Sequence, residues 1–324
     1  MNLETKVTKL LGIQYPIIQG GLAHLAYSDL AAAVSNAGGL GQITAMSLPS
    51  PDELRTEIQK VRTLTDKPFG VNFSIGQQGR PYEHYLDVAI EEEVPVISMT
   101  GGNPAPLFEK LKGTGIKTLV LVAAVRQAQK AEELGADAVM VVGQEGGGHL
   151  GRNDLGTFVL VPRVVDSVSI PVIASGGIAD GRGLMAALAL GAEGIEMGTR
   201  FIAVKECVHA SELYKRTLIE GTENDTVVIK RSIGAPARAI ANSWTDKILE
   251  VEQNSGGYEG LKDYISGTAN KRYIYEGKED EGFAWAGQSM GLIRDIPSAN
   301  DLIQSMMKEA DAIASRFGCV SIVK

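Results

Sequence analysis

The residue best suited to acid–base chemistry is His149, which lies in the stretch VVGQEGGGHLGRND at residues 141–154. This stretch begins as an apolar run and then carries five glycines around one of the chain's four histidines. Glycine inside an element costs stability, so this density indicates a backbone that closely approaches another group. An imidazole with a pKa of about 6.5 can act there as general base or hydrogen-bond donor. The alternatives are a structural histidine that caps a turn and a metal ligand, and the absence of ligand spacing nearby argues against the metal.

Neutral amide and hydroxyl groups follow the other apolar runs, at the points where strands would end. The strand-end positions include Gln19, Gly20, Gly21, Gln42, Asn72, Thr100, Asn103 and Gln144, and the neutral side chains that could serve a ring are those of Gln19, Asn72, Thr100 and Asn103. Such groups can hydrogen-bond a planar heteroaromatic ring without bringing charge to it. Taken singly, each can equally be a capping or turn residue. Their recurrence at successive strand ends favours a shared site.

Two consecutive loops form a phosphate-binding pattern. ASGGIADGRG supplies Ser175, Gly176 and Gly177 ahead of a helix, and MGTRF adds Gly198, Thr199 and an arginine. Backbone amides and a helix N-terminus at this place can hold a phosphate, although the glycines can also serve only as tight turns. A phosphate here and a ring across the neutral groups together fit flavin mononucleotide (FMN).

These residues must be positioned by a repeated strand–helix unit. Eight short, almost wholly apolar runs occur at 15–21, 40–44, 69–75, 94–102, 116–124, 137–144, 170–177 and 194–201. Between them lie segments with helical periodicity and start and stop signals, such as 28–38, 51–66, 125–136 and 181–192. Such strands are typical of a parallel sheet covered on both faces, and eight units predict a (β/α)8 TIM barrel. The competitor is a doubly wound open sheet, but no GxGxxG follows the first run.

The repeated strand–helix pattern ends after the eighth unit. We predict a barrel over residues 1–210 and a smaller, mainly helical accessory domain over 211–297, which is polar and glycine-rich. The segment 298–317 has helical periodicity and an N-cap serine, and it is expected to pack back on the barrel or form an interface. Such an interface would suit a homodimer.

Composition limits the class of protein. A net charge of −8 argues against nucleic acid or an anionic membrane as the main partner. No segment has the roughly 20 apolar residues of a membrane span, and the N-terminus lacks a signal-peptide core. Cys207 and Cys319 are expected to be free thiols in a reducing compartment, so we expect a cytoplasmic protein with no cysteine nucleophile.

The chain resembles the nitronate monooxygenase family, formerly called 2-nitropropane dioxygenases. The matching stretches are YPIIQGGLA, LAAAVSNAGGLGQI, KPFGVNF, TGGNP, GADAVMVVGQEGGGHLG, PVIASGGIADGRG, LGAEGIEMGTRF, PARAIAN and AGQSMGLI. The resemblance implies an FMN-binding TIM barrel with a small second domain. The same framework serves type II enoyl-acyl-carrier-protein reductases and NADH:quinone reductases.

The resemblance also implies roles for residues. His149 matches the family's active-site histidine. The FMN contacts that it implies are Gln19, Gly20, Asn72, Gly176, Gly177, Gly198 and Thr199, with Gln288 and Met290 closing over the ring from the second domain. The strand-end positions Gly21, Thr100, Gly147, Gly148 and Ser175 are expected to join them. The expected substrate contacts are His24, Gly148 and His149, although His24 can equally be a surface residue before the first helix.

Three functions remain open. The first is oxidation of alkyl nitronates with O2 to carbonyl compounds and nitrite, with His149 bonded to the nitro oxygens or removing the α-proton of a neutral nitroalkane. The second is reduction of a quinone or enoyl thioester by NAD(P)H through FMN. The third is a non-enzymatic protein that binds a flavin or phosphate.

Overall fold

The structure, a computed structural model, describes residues 3–76, 81–254 and 257–318. Eight parallel strands share one sheet: β1 Ile17–Gln19, β2 Gly41–Thr44, β3 Phe69–Ser74, β4 Val96–Thr100, β5 Lys117–Val122, β6 Ala138–Val142, β8 Val172–Ser175 and β9 Gly194–Met197. Their spatial order is β1-β9-β8-β6-β5-β4-β3-β2, and a bridge between Ile18 and Leu40 brings β2 back beside β1. The sheet therefore curls into a TIM barrel, which confirms the predicted fold and excludes the open sheet.

Helices alternate with these strands. They are α1 Lys6–Leu11, α2 Ser28–Asn36, α3 Pro51–Leu64, α4 Glu83–Glu91, α5 Ala105–Leu111, α6 Val125–Glu133, α7 Thr157–Val165, α8 Gly181–Ala189 and α9 Thr199–Ile202, with a 3-10 turn at Ala45–Ser47. In α3, the Ser50 side chain accepts a hydrogen bond from the Glu53 amide and thereby caps the first turn. Leu54, Ile58 and Val61 recur at helical spacing and are buried, so this face packs on the barrel. The helices predicted at 28–38, 51–66, 125–136 and 181–192 are confirmed.

The chain continues with α10 Glu212–Glu220, β10 Thr226–Ile229, β11 Ala237–Ile240, α11 Ser243–Gln253, α12 Gly257–Leu261, α13 Gly267–Glu276 and a 3-10 turn at Gln288–Leu292. β10 and β11 form a hairpin that the two-residue strand β7 (Gly148–His149) joins. Ile248, Leu261 and Phe283 belong to a small separate core here, whereas Tyr214 of α10 packs in the barrel's own core. The domain division at residues 210 and 297 stays a prediction.

The final helix, α14 Ala299–Gly318, packs against α8 and α2 of the barrel. Its Ile303 and Ala310 are fully buried, so the helix covers an apolar face of the barrel, as the sequence pattern indicates. None of the helices in the described ranges combines the length and apolarity that a bilayer span needs. The cytoplasmic location and the homodimer stay predictions.

The interior of the barrel is closed at its amino-terminal end. Val7 and Leu11 of α1 share one buried cluster with inward-facing strand residues such as Leu119 and Ile173. Because apolar side chains fill this end, a polar pocket is expected at the opposite rim, at the carboxyl ends of the strands. That rim is the place where barrels of this kind hold their active sites.

Candidate active site

The loop that follows β6 folds back on itself. The Gln144 amide N–H donates to the Leu155 carbonyl at 2.9 Å, which closes the loop at its base. The Gln144 side chain donates to the carbonyls of Gly151 (2.9 Å) and Asn153 (2.7 Å). These bonds make the loop a defined shelf over the barrel, and His149 lies on it.

His149 is in a strand rather than in the free loop that its glycines predict. β7 pairs antiparallel with β11, with His149 opposite Ala237, and the Leu150 amide donates to the Pro236 carbonyl at 2.9 Å. The hairpin that supplies this partner is about 80 residues downstream in the chain, so the sequence around His149 gives no sign of this pairing. Two anchors, one in the barrel and one in the hairpin, therefore orient the imidazole.

The glycines around His149 are explained by a close approach. A Cβ added to Gly147 would lie 2.6 Å from the Gly287 nitrogen and 2.7 Å from the Ala286 carbonyl carbon. Such distances are shorter than side chains tolerate. Gly148 has φ +73°, a conformation that favours glycine. The predicted approach of backbone to another group is thus to backbone of the segment AGQSMG.

The His149 ring contacts a buried lysine. Lys230 Nζ lies 3.0 Å from His149 Nε2, and the Trp285 ring lies 5.8 Å from the imidazole between ring centres. His149 is exposed to solvent on part of its surface, and Lys230 and Trp285 lie against its ring. Desolvation, together with the charge of Lys230, lowers the pKa of His149 to about 4. The imidazole is therefore neutral at physiological pH.

Lys230 is held in place by its backbone. It directly follows β10 and has φ +67°, a left-handed conformation that is strained for a side chain of this size. Its amide N–H donates to the Glu252 carboxylate of α11 at 2.8 Å, and its ammonium lies 5.4 Å from the centre of the Trp285 ring. Burial lowers the pKa of Lys230 to about 8, while Glu252 opposes that shift. At neutral pH the ammonium is still mostly charged.

The predicted polar residues at the rim come together on the first three strands. Gln19 is fully buried and exchanges hydrogen bonds with Gln42: the Gln42 amide N–H donates to Gln19 Oε1, and Gln42 Nε2 donates to the Gln19 carbonyl, both at 2.9 Å. The Asn72 side chain donates to the Ser98 hydroxyl at 2.9 Å. Gln42 Oε1 is buried and has no hydrogen-bond partner within the described ranges. An orphaned acceptor of this kind fits an N–H donor on a bound ring.

A carboxyl group lies beneath this rim. Glu196 of β9 is buried and accepts a hydrogen bond from the Ser175 hydroxyl. Burial raises the pKa of Glu196, so its neutral form is favoured, with the Ser175 bond acting in the opposite direction. Side chains at Gly20 and Gly21 would collide with Glu196 and Asn72 respectively. The two glycines therefore allow the backbone after β1 to cross these polar groups.

The two predicted phosphate loops are adjacent, but the amide groups at the start of α8 already have hydrogen-bond partners within the chain. Gly176 (φ +86°) and Gly177 (φ +77°) follow β8, and Gly198 and Thr199 follow its neighbour β9. The N-terminus of α8 is satisfied within the chain, because carboxylates of Asp180 and Glu309 accept from its first amides. The candidates for a phosphate are therefore the glycine loops themselves rather than α8.

Arg200 has a different partner from the anion that the sequence suggests. Its buried guanidinium donates to the Asp295 carboxylate at 2.8 Å and to the Asp295 carbonyl at 3.2 Å. Burial lowers the pKa of Arg200, and Asp295 opposes that shift. This ion pair connects α9 to the segment before α14, so the role of Arg200 here is structural.

The segment AGQSMG spans the two loops of the rim. The Gly287 amide N–H donates to Thr199 Oγ1 at 2.9 Å, and the Gln288 amide N–H donates to the Glu145 carbonyl at 2.8 Å. Met290 is fully buried, and its Cε lies against Gly221 at the end of α10. The segment thus reaches the predicted cofactor loops, while contact of Gln288 and Met290 with a ring stays a prediction.

The remaining predicted residues, His24, Thr100 and Asn103, make hydrogen bonds with other parts of the chain. His24 has φ +66°, its amide donates to Ser47 Oγ at 2.9 Å, and its carbonyl accepts from the Tyr275 hydroxyl of α13 at 2.8 Å. The Thr100 hydroxyl donates to the Phe73 carbonyl at 3.4 Å. Asn103 accepts from the Ala105 amide at the start of α5, as a capping residue does.

The cysteines offer no reactive thiol among the described residues. Burial raises the pKa of Cys207 to about 12, so its thiolate is not populated at neutral pH. Cys319 lies outside the described residues. Within the described ranges there is also no cluster of three or more potential metal ligands.

Sequence reasoning missed Lys230, Trp285 and Arg238. The Arg238 guanidinium donates to the Gln144 carbonyl at 3.0–3.1 Å and so ties β11 to the base of the His149 loop. Arg238 and Trp285 lie in or beside stretches that carry the family resemblance, which was the one available signal. Lys230 had none, because its contact with His149 depends on the hairpin and on an unusual φ angle.

Fold and site together define the class of the protein, a (β/α)8-barrel enzyme with a histidine-bearing loop over the carboxyl ends of its strands. The family model for nitronate monooxygenase matches residues 4–80 and 73–309. A probable nitronate monooxygenase of Staphylococcus saprophyticus is 36% identical, over 98% of this chain and all of its own. The chain therefore belongs to the nitronate monooxygenase family, whose members are flavin-dependent oxidoreductases. The predicted family and enzyme class are confirmed.

Two solved structures extend the comparison. FabK from Thermotoga maritima is 41% identical, with a TM-score of 0.91 and coverage of 97% of this chain and 98% of its own. The nitroalkane oxidase of Streptomyces ansochromogenes is 28% identical, with a TM-score of 0.82 and coverage of 96% and 99%. The chain is thus similar over nearly its whole length both to FabK and to a nitroalkane oxidase.

Proposed function

We propose that the protein is an FMN-dependent nitronate monooxygenase, which oxidises alkyl nitronates with O2 to carbonyl compounds and nitrite. The observation that carries this proposal is the pair of a neutral His149 and a charged Lys230 in contact at 3.0 Å. A neutral imidazole beside an ammonium suits a small anion, which gains a hydrogen bond and a favourable charge together.

The rim residues fit FMN. Gly176, Gly177, Gly198 and Thr199 would hold the phosphate, since glycine amides on adjacent strand ends can converge on an anion. The orphaned Gln42 Oε1 would accept a hydrogen bond from the ring system. Gln19, Asn72 and the other rim positions predicted above would line it. When bound, the flavin supplies the electron-transfer chemistry that protein side chains lack.

The pKa of His149 favours a nitronate over a neutral nitroalkane. A base whose conjugate acid has a pKa of about 4 is too weak to remove the α-proton of a nitroalkane efficiently. A nitronate is already deprotonated, so His149 needs only to bind and orient it. Lys230 adds positive charge at the same place. The chain's own residues therefore supply anion binding and positioning rather than proton abstraction.

The alternative is an NAD(P)H-dependent reductase on the same scaffold. The likeness to FabK, at 41% identity and a TM-score of 0.91, supports it, since FabK is a type II enoyl-acyl-carrier-protein reductase. Quinones are a second class of acceptor for such a reductase. Family membership supports either enzyme over the non-enzymatic flavin-binding protein considered from the sequence.

Anaerobic stopped-flow spectroscopy separates the two enzymes. The purified protein is expected to be yellow with flavin absorption bands, and an alkyl nitronate alone should bleach them. The matched control is the neutral nitroalkane with the same carbon skeleton, which should bleach the flavin much more slowly. Rapid bleaching by NADH or NADPH with none by the nitronate would refute the proposal and favour the reductase.

A further inference from the structure

The contact between Lys230 and His149 constrains where the imidazole proton lies. An ammonium group has three N–H donors and no acceptor, so in a hydrogen bond it must donate. Lys230 Nζ lies 3.0 Å from His149 Nε2, which therefore accepts and carries no hydrogen. A neutral imidazole holds one proton, and that proton is then on Nδ1.

We infer that Lys230 is a positioning residue that fixes His149 as the Nδ1–H tautomer, with Nε2 occupied, so that His149 acts as a hydrogen-bond donor. This inference rests on the proposed function only in that the Nδ1–H group is the one offered to the substrate. Free neutral histidine prefers the opposite tautomer, with the proton on Nε2. Lys230 therefore imposes a state that the ring would not favour alone.

The surroundings of Lys230 hold its ammonium group beside His149. Its side chain is buried, its φ of +67° sets the direction of the Cβ, and the Trp285 ring lies beneath the ammonium. The Glu252 carboxylate is already shared among the backbone amides of Lys230 and Ser232 and the Ser232 hydroxyl, each at 2.8 Å. Strain of this kind persists where the surrounding structure enforces it, typically at functional sites.

Other charged groups on the neighbouring elements have partners of their own. Arg238 on β11 donates to the Gln144 carbonyl, and Glu145 on the loop before β7 accepts from Thr157. Arg152 just after β7 donates to the Gly234 carbonyl, and Glu252 of α11 is engaged as described. Lys230 is thus the charged side chain in direct contact with the imidazole.

The tautomer can be measured without turnover. Long-range proton–nitrogen NMR on protein with ¹⁵N-labelled histidine distinguishes the protonated from the unprotonated ring nitrogen, and His149→Gln assigns the signals. In the wild-type protein, with and without flavin, we expect Nδ1 protonated and Nε2 unprotonated throughout about pH 5.5–7. A ring with its proton on Nε2 would overturn the inference without any variant.

Lys230→Met and Lys230→Arg form the matched pair of variants. Methionine has a similar length but no donor, so His149 should shift towards the Nε2–H form, and its pKa should rise because the charge of Lys230 is removed. Arginine retains a donor and should keep the Nδ1–H form. If Lys230→Met does not fold, as judged by circular dichroism, the wild-type spectrum and Lys230→Arg still decide. An unchanged His149 spectrum in folded Lys230→Met would refute the role.

The catalytic readout keeps this inference separate from the proposed function. If nitronates are oxidised, Lys230→Met should lower kcat/KM at least tenfold, mainly through a raised KM, because a charge near the anion is lost. A kcat/KM within twofold of the wild type would overturn the inference. A wild-type protein that does not oxidise nitronates would refute the proposed function, while the NMR spectra would still decide the role of Lys230.

Discussion

Replacing His149 tests whether the imidazole acts as donor or as base. At pH 7, a pKa of about 4 leaves about one ring in a thousand protonated. The ring can therefore contribute one neutral N–H donor to an anionic substrate. A hydrogen bond to a charged group contributes about 1.5–3 kcal/mol, which corresponds to about 10–150-fold in rate. We expect His149→Ala to lower kcat/KM for an alkyl nitronate by that factor at pH 7.

His149→Gln is the matched control, because its side-chain amide keeps an N–H donor near the same place. It should retain more activity than His149→Ala. Oxygen consumption with a nitronate measures both variants, while flavin absorbance and thermal melting confirm that each binds cofactor and folds. General-base catalysis by His149 would instead cost about 10²–10⁴-fold in both variants. Equal losses of that size in both would refute the donor role.

Other consequences concern pH, packing and stability. The kcat/KM for a nitronate should be flat from about pH 5.5 to 7 and fall above about pH 8, as Lys230 loses its proton; pH profiles test this. Gly147→Ala should lower the free energy of unfolding by about 1–3 kcal/mol and weaken flavin binding, because the added Cβ would collide with Gly287. The melting temperature and the amount of flavin retained test this. Asp295→Asn should lower the free energy of unfolding, measured in urea, by about 1–2 kcal/mol, because the buried Arg200 loses its charged partner. Asp295 itself is exposed, which keeps the effect small.

The barrel was predictable because its signals are local. A run such as that of β6 is apolar throughout, and α3 has its cap at Ser50 and its buried face within 14 residues. Strand order then follows from the right-handed βα repeat, which needs no long-range information. The same local signals placed Ser175 at the end of β8 and Thr199 just after β9, where the structure has them, whereas Asn72 lies within β3.

The parts of the site that sequence could not predict depend on long-range pairing. His149 was expected on a free loop, but the β11 hairpin turns it into a strand. Arg200 was grouped with the phosphate loop, but Asp295, 95 positions later, binds it instead. Lys230 reaches His149 across 81 positions from a left-handed backbone that no sequence pattern announces. Each of these outcomes is decided by a partner that is remote in sequence.

The protonation of the pair separates the two candidate reactions. Reduction of an enoyl thioester must protonate the substrate, and a neutral His149 could do so only by giving up its Nδ1 proton while taking one from Lys230 at Nε2. Oxidation of a nitronate by electron transfer needs no such proton, since the substrate binds as an anion and its nitro group leaves as nitrite. A stepwise transfer, in which Lys230 first protonates the ring, is unfavourable because the pKa of Lys230 is about 8 and that of His149 is about 4. At pH 7 the pair therefore stays as an ammonium beside a neutral imidazole, a state that suits the binding of a small anion.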